Sequence, residues 1–264
     1  QQNHFSLKTK LKKASINSKK IKKNDIFFAI KGKRKNGNHY LREVFNKKAS
    51  LAVVNKISNL EKKSKQIKVK NTLNFLTKTS SKVRENSSAK IIAITGSCGK
   101  TSLKDLIGMT FNKISRATYS NKSFNNKYGV PLSLFNLNLR DNFGVFEVGM
   151  DKKGEIDTLT KIIKPEVGVI TNISYAHAKN FKNLKQIALA KSEIMNHIMS
   201  GGSIVLNADD RFYKFHKKIA IRKKLKVYSF SLNKKSATVS LISVKKEKTK
   251  FKVIININNQ KKYF

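Results

Sequence analysis

The stretch IIAITGSCGKTSLKDLI, Ile91 to Ile107, decides the fold. It reads as a buried strand, a tight glycine turn and a helix opening at Lys100. Backbone N–H groups in such a turn, added to the positive end of the helix dipole, form a site for phosphate anions. Lys100 would reach the β- and γ-phosphates, and the Thr101 hydroxyl would hold Mg2+. The general phosphate-loop pattern asks for a glycine five residues before Gly99, and Ile94 stands there. The tripeptide GKT is common in ordinary strand-turn-helix joints, so the strand before it and the helix after it carry the argument.

Working outward, further apolar strands are expected at FGVFEVG (Phe143 to Gly149), VGVITNI (Val167 to Ile173) and SIVLNAD (Ser203 to Asp209). Helical segments, notably Glu155 to Lys164 and Asn183 to Met199, lie between them. Apolar strands alternating with helices pair in parallel, so the central region is expected to be an α/β, doubly wound, mostly parallel sheet of the phosphate-loop type. From Lys226 the texture changes to alternating strands, KVYSFSL, ATVSLISV and FKVIINI, which read as an antiparallel annex.

Upstream, DIFFAI (Asp25 to Ile30) and ASLAVVN (Ala49 to Asn55) flank a helix-like stretch around Tyr40 to Lys48, the pattern of a small N-terminal α/β domain. The polar passage KTSSKVRENSSAK (Lys78 to Lys90) has the composition of a linker. The expected division is therefore residues 1–85 and 86–264.

A chain of 264 residues with 39% apolar residues can furnish a real core. Its 57 Lys plus Arg against 15 Asp plus Glu give a formal net charge of +42, which raises nucleic-acid or membrane-surface binding as a competing class. The excess is mostly Lys, is spread along the chain and accompanies abundant Asn, Ile and Phe, the set encoded by A/T-rich codons. A segregated basic arm is missing, so no specific nucleic-acid partner is expected. One cysteine, Cys98, excludes an internal disulfide framework. No stretch approaches the roughly 18 apolar residues of a membrane span, and the N-terminus lacks a signal-peptide core. A cytoplasmic protein without membrane insertion is expected. The chain starts without Met and stops within a strand-like run, so both ends read as truncated.

Six segments in one order resemble the Mur ligase family. TGSCGKTS (Thr95 to Ser102) is similar to that family's shorter loop, TG-x-x-GKT. NKSFNNKYGVPLSL (Asn121 to Leu134), FEVGMDKKGEI (Phe146 to Ile156), PEVGVITNISYAHAKNF (Pro165 to Phe181), ALAKSEIM (Ala188 to Met195) and LNADD (Leu206 to Asp210) follow in the family's sequence. Near the N-terminus, INSKKIKKNDIFFAIKGKRKNGNHY resembles the uridine-binding stretch. It has Asn17-Ser18-Lys19 in place of Asp-Ser-Arg, and His39 stands one place late.

The resemblance implies an ATP- and Mg2+-dependent ligase of peptidoglycan synthesis, and hence of cell-wall biogenesis, cell shape and division. In that family a peptide carboxylate takes the γ-phosphoryl of ATP, and an amine converts the acyl phosphate to an amide. TGSCGKTSLKDL and NNKYGVP favour the members that join D-alanyl-D-alanine to UDP-N-acetylmuramoyl-tripeptide over those adding the third residue and over folylpolyglutamate synthetase. Thr95, Gly96, Ser97, Cys98, Gly99, Lys100, Thr101 and Ser102 would cradle the nucleotide, with Cys98 as filler. Glu147 would be the first Mg2+ carboxylate, with Thr101 beside it, and His177 a second-metal ligand. Lys191, on its own evidence a snorkelling lysine of an amphipathic helix, matches a lysine that is commonly carbamylated and then binds metal. Asn125 and Asn126 would line the substrate channel, and Ser18, Lys31 and Gly32 would serve the uridine end. A monomer is expected. The family's third domain has no counterpart in these 264 residues, which are expected not to turn over alone.

Overall fold

The computed structural model describes residues 11–32, 34–175 and 180–264. The chain divides into two units, Gln1–Asn86 with Leu134–Asn136, and Ser87–Ser133 with Leu137–Phe264.

The first unit is built on a four-stranded parallel sheet in the order β1 (Ala14–Ser15), β2 (Ile26–Phe28), β3 (Leu51–Val54), β4 (Gln66–Lys68). All four residues of β3 are buried, as the apolar run LAVV requires of a parallel strand covered on both faces. Phe27, Ala52 and Val54 meet Leu41 and Val44 of α1 (Leu41–Asn46) in one core cluster. The linker expected from Lys78 is largely α2 (Thr72–Glu85). Its Ser and Thr hydroxyls are turned back onto the helix: Thr77 bonds the carbonyl of Leu73, Thr79 that of Phe75 and Ser80 that of Thr77. With Leu76, Ser80 and Arg84 buried on one face, tertiary packing overrides a polar composition.

The second unit carries a nine-stranded sheet. Its elements are β5 (Lys90–Thr95), α3 (Lys100–Ile114), β6 (Ala117–Tyr119), α4 (Gly129–Phe135), β7 (Phe143–Glu147), α5 (Glu155–Ile163), β8 (Val167–Ile170), α6 (Leu184–Ser192), β9 (Ser203–Asn207), α7 (Tyr213–Arg222), β10 (Lys226–Ser231), β11 (Val239–Glu247), β12 (Lys250–Ile257) and β13 (Gln260–Tyr263). Across the sheet the order is β13-β12-β11-β10-β9-β8-β5-β7-β6. β5 lies between β7 and β8, parallel to both. Ile94, Val145 and Val169 from these three strands form a buried patch covered by Leu103, Ile107 and Phe111 of α3.

Two expectations need correction here. The antiparallel annex begins at β11, because β10 runs parallel to β9 over five rungs and β11 enters parallel to β10; only β11-β12-β13 is antiparallel. The reason is α7, an unforeseen crossover helix whose lysine-rich sequence hides the buried pair His216 and Ala220. The single helix expected over Asn183 to Met199 is α6 followed by a tighter 3-10 segment, Glu193–His197. The doubly wound sheet itself stands as expected.

Candidate active site

The chain leaves β5 for the β6 edge and returns on the other side of β5 at β8, which makes the carboxyl ends of β5, β7 and β8 a topological switch point. Ligands of open α/β sheets bind in the crevice there. The loop after β5 is shaped by two glycines for different reasons. Gly96 has φ 146°, and a Cβ on it would lie 1.8 Å from Thr171 Oγ1, so neither the conformation nor the space admits a side chain. Gly99 has open space around it but φ 79°, the left-handed turn from which α3 starts.

The end of β8 pins this loop. Thr171 Oγ1 donates to the Cys98 carbonyl at 2.7 Å, and the Asn172 side chain accepts from Cys98 N–H at 3.1 Å. Ser97 Oγ donates to the Ser174 carbonyl at 2.9 Å and accepts from Ser174 N–H at 2.8 Å. Thr95 is fully buried. Cys98 is exposed, and its Sγ lies 3.9 Å from Ser174 Oγ. Ser102 is exposed on α3, outside the loop's bonding pattern.

On the far side of the loop, Thr101 Oγ1 donates to Glu147 Oε2 at 2.7 Å, and Asn125 Nδ2 donates to Glu147 Oε1 at 2.7 Å. Glu147 is the last residue of β7 and is 1% exposed. Asn126 has a separate task. Its side-chain oxygen accepts from the N–H groups of Tyr128 and Gly129 at 3.0 Å each, at the start of α4.

Lys100 Nζ donates to the carbonyls of Gly96 at 2.8 Å and Ser97 at 3.1 Å, so its ammonium stands over the loop. Burial lowers its pKa, opposed by Glu147 and by Cys98. Lys191 does not snorkel to water. It is 2% exposed and also donates to the Gly96 carbonyl at 2.8 Å. Burial, then the neighbouring charge of Lys100, brings its pKa down to about 7. Lys100, Thr101, Asn125, Asn126, Glu147 and Lys191 line one cavity of about 650 Å3.

This donor set fits Mg2+ bound with phosphate. A hydroxyl, Thr101 Oγ1, and a carboxylate, Glu147, sit side by side at 2.7 Å, and these are oxygen ligands that would suit Mg2+ together with nucleotide phosphates. Among the described residues no three His, Cys, Asp or Glu side chains converge, as a fully protein-ligated metal would need. His177 lies outside the described residues.

In the first unit, Ser18 is buried in a short 3-10 turn, and its carbonyl accepts from Lys47 Nζ at 3.0 Å. Lys31 and Gly32 are exposed at a turn in which Gly32 N–H bonds the Lys35 carbonyl. Sequence reasoning assigned no site role to Thr171, Asn172 or Ser174; their signal was the segment PEVGVITNISYAHAKNF, whose strand ends in Thr171-Asn172-Ile173 as in the family it resembles.

The Mur ligase middle domain matches residues 94–263. A UDP-N-acetylmuramoyl-tripeptide–D-alanyl-D-alanine ligase of Rickettsia prowazekii is 36% identical over 225 residues, covering 84% of this chain and 49% of the relative. That of Buchnera aphidicola (subsp. Baizongia pistaciae) is 32% identical, covering 90% and 52%. Among solved structures, MurF from Acinetobacter baumannii superposes with a TM-score of 0.82 at 27% identity, covering 97% of this chain and 55% of the other. MurF from Thermotoga maritima, in complex with ADP, gives 0.79 at 23% identity, covering 96% and 57%, a likeness of fold. The chain spans about half the length of the relatives it matches.

Proposed function

Because the chain belongs to the Mur ligase family, we propose that it is the nucleotide- and acyl-handling part of a cytoplasmic ligase that joins D-alanyl-D-alanine to UDP-N-acetylmuramoyl-tripeptide. The observation that carries this is the single cavity holding Lys100 and Thr101 of the loop, Glu147, Asn125 and Lys191. Mg-ATP would supply the phosphoryl group that activates the peptide carboxylate.

The chain's own residues then divide the work. The loop N–H groups and the start of α3 face the phosphates, and Lys100 offsets their charge. Thr101 and Glu147 would hold Mg2+, and Asn125 fixes the Glu147 carboxylate by its 2.7 Å bond. Ser18, Lys31 and Gly32 are assigned to the uridine end, and Asn126 to the substrate channel, on resemblance. His177 is assigned to a second metal on the same ground.

Lys191 is assigned a carbamate. Its Nζ, with a pKa of about 7, is partly neutral at physiological pH, which is the form that attacks carbon dioxide. The ammonium first gives one proton to water; the neutral nitrogen then forms a bond to the carbon of carbon dioxide and releases a second proton to water, leaving a carbamate with one negative charge. An ammonium roughly 4 Å from a like charge costs about 4 kcal/mol at an effective dielectric of about 20, and the carbamate turns that repulsion into attraction for metal.

The test is the whole reaction, with ATP, Mg2+, UDP-N-acetylmuramoyl-tripeptide and D-alanyl-D-alanine, reading phosphate and ligated product together. It is run on these 264 residues and on the chain extended to the length of its relatives. Product from the extended form that depends on all three substrates supports the proposal. Product formed instead with a single amino acid on the dipeptide precursor would move the assignment to the third-residue ligase.

A further inference from the structure

Lys104 is fully buried one turn beyond Lys100 on α3, yet the chemistry proposed above does not use it. Burying an ammonium is costly unless its donors are satisfied, and here three acceptors meet its three N–H bonds. Nζ donates to the carbonyl of Ser120 at 2.7 Å, to that of Lys122 at 3.0 Å, and pairs with Asp105 Oδ1 at 2.6 Å. It also lies 5.8 Å from the centroid of the Tyr119 ring, on β6. α3 comes this close to β6 because Gly108 has no side chain: a Cβ there would meet the Tyr119 ring at 2.4 Å.

The two carbonyls belong to the loop after β6, which feeds the metal end of the cavity. Ser120 Oγ accepts from the Glu147 N–H at 3.1 Å. Ser123 Oγ is 3.5 Å from Thr101 Oγ1, and Asn125 holds the Glu147 carboxylate. Lys122 sits at φ 48°, a conformation costly for a residue with a side chain and one that persists only where the surroundings hold it. The ammonium of Lys104 grips the carbonyls on either side of Asn121 and holds that turn. Lys100 and Thr101 are on the same helix, so one buried cation ties the phosphate-binding turn to the loop that orients Glu147.

We propose that Lys104 is a positioning residue for Mg2+: through Ser120 and Lys122 it sets the Glu147 carboxylate against Thr101. The inference rests on the Mg-ATP reading of this cavity. It makes a specific demand, that loss of Lys104 harms metal-dependent nucleotide binding and spares the metal-independent part made by the loop backbone.

Calorimetric titration with ATP, in Mg2+ and in excess chelator, is done on the wild-type chain, Lys104→Met and Ser120→Ala. The variants are expected to lose about tenfold in Mg-ATP affinity, the usual scale for an outer-shell partner of a metal ligand, and less than about twofold without metal. Ser120→Ala keeps the carbonyl that Lys104 holds and removes the hydroxyl that accepts from the Glu147 N–H, so it reads the Ser120–Glu147 link through which Lys104 acts, and carries the test of that link if Lys104→Met does not fold. Equal losses with and without Mg2+ make Lys104 a residue of the fold and overturn the inference. A Mg2+ preference retained in full by both variants also overturns it, leaving the cavity assignment intact. A wild-type chain with no Mg2+ preference overturns that assignment and the inference together.

Discussion

Lys100, at the start of α3, and Lys191, at the end of α6, donate to one carbonyl oxygen, that of Gly96, at 2.8 Å each. Burial first, and then the repulsion between two ammonium donors on one backbone acceptor, brings the pKa of the more buried one, Lys191, down to about 7. The arrangement brings the Lys100 amine to the phosphate loop and, beside it, a second amine, Lys191, whose pKa lies at about 7.

Lys100→Ala should reduce Mg-ATP affinity by about 100-fold, roughly 3 kcal/mol, because the ammonium over the loop is lost while the backbone donors remain. Calorimetry on the 264-residue chain checks it. An unchanged affinity would remove the phosphate-loop reading.

Lys191 should make stability depend on pH. Its folded pKa of about 7 lies below the ordinary 10.5, so between these values the unfolded chain binds a proton that the native chain has released. Stability therefore rises with pH across that window. In carbon-dioxide-depleted buffer, urea unfolding of wild type relative to Lys191→Met should shift in favour of wild type by about 2 kcal/mol from pH 7 to pH 9. Below pH 6 the difference should be flat. In a Lys100→Ala background the midpoint should move up, since one of the lowering charges is gone.

The carbamate itself is open to direct observation. With 13C-bicarbonate and Mg-ATP, carbon NMR should show one carbamate signal that is missing in Lys191→Met. Removing carbon dioxide should weaken Mg-dependent nucleotide binding, and bicarbonate should restore it. A bare amine at Lys191 in a Mg-ATP complex would return the residue to a structural role.

The two loop glycines should respond unequally to alanine. Gly96→Ala forces a methyl group into Thr171 Oγ1 and should destabilise by about 3 kcal/mol. Gly99→Ala meets no neighbour and should cost about 1 kcal/mol from its positive φ alone. Equal losses in urea unfolding would contradict this account of the turn.

What the sequence determined by itself is what depends on local order along the chain. The run IIAIT, the glycines of the loop and the helix opening at Lys100 are contiguous, so strand, turn and helix were all readable there, and with them the doubly wound sheet. Glu147 was legible as a strand end for the same reason. α2 and α7 were not, because their buried faces are spelled with Ser, Thr, Arg and His, whose burial depends on partners that local composition does not announce. The tertiary structure alone decided which residues converge. It brought Thr171 and Asn172 beneath Cys98, Lys191 to Gly96 and Lys104 to Ser120. Each pair joins segments on different elements, and only the parallel stacking of β5, β7 and β8 brings their carboxyl ends together at one edge.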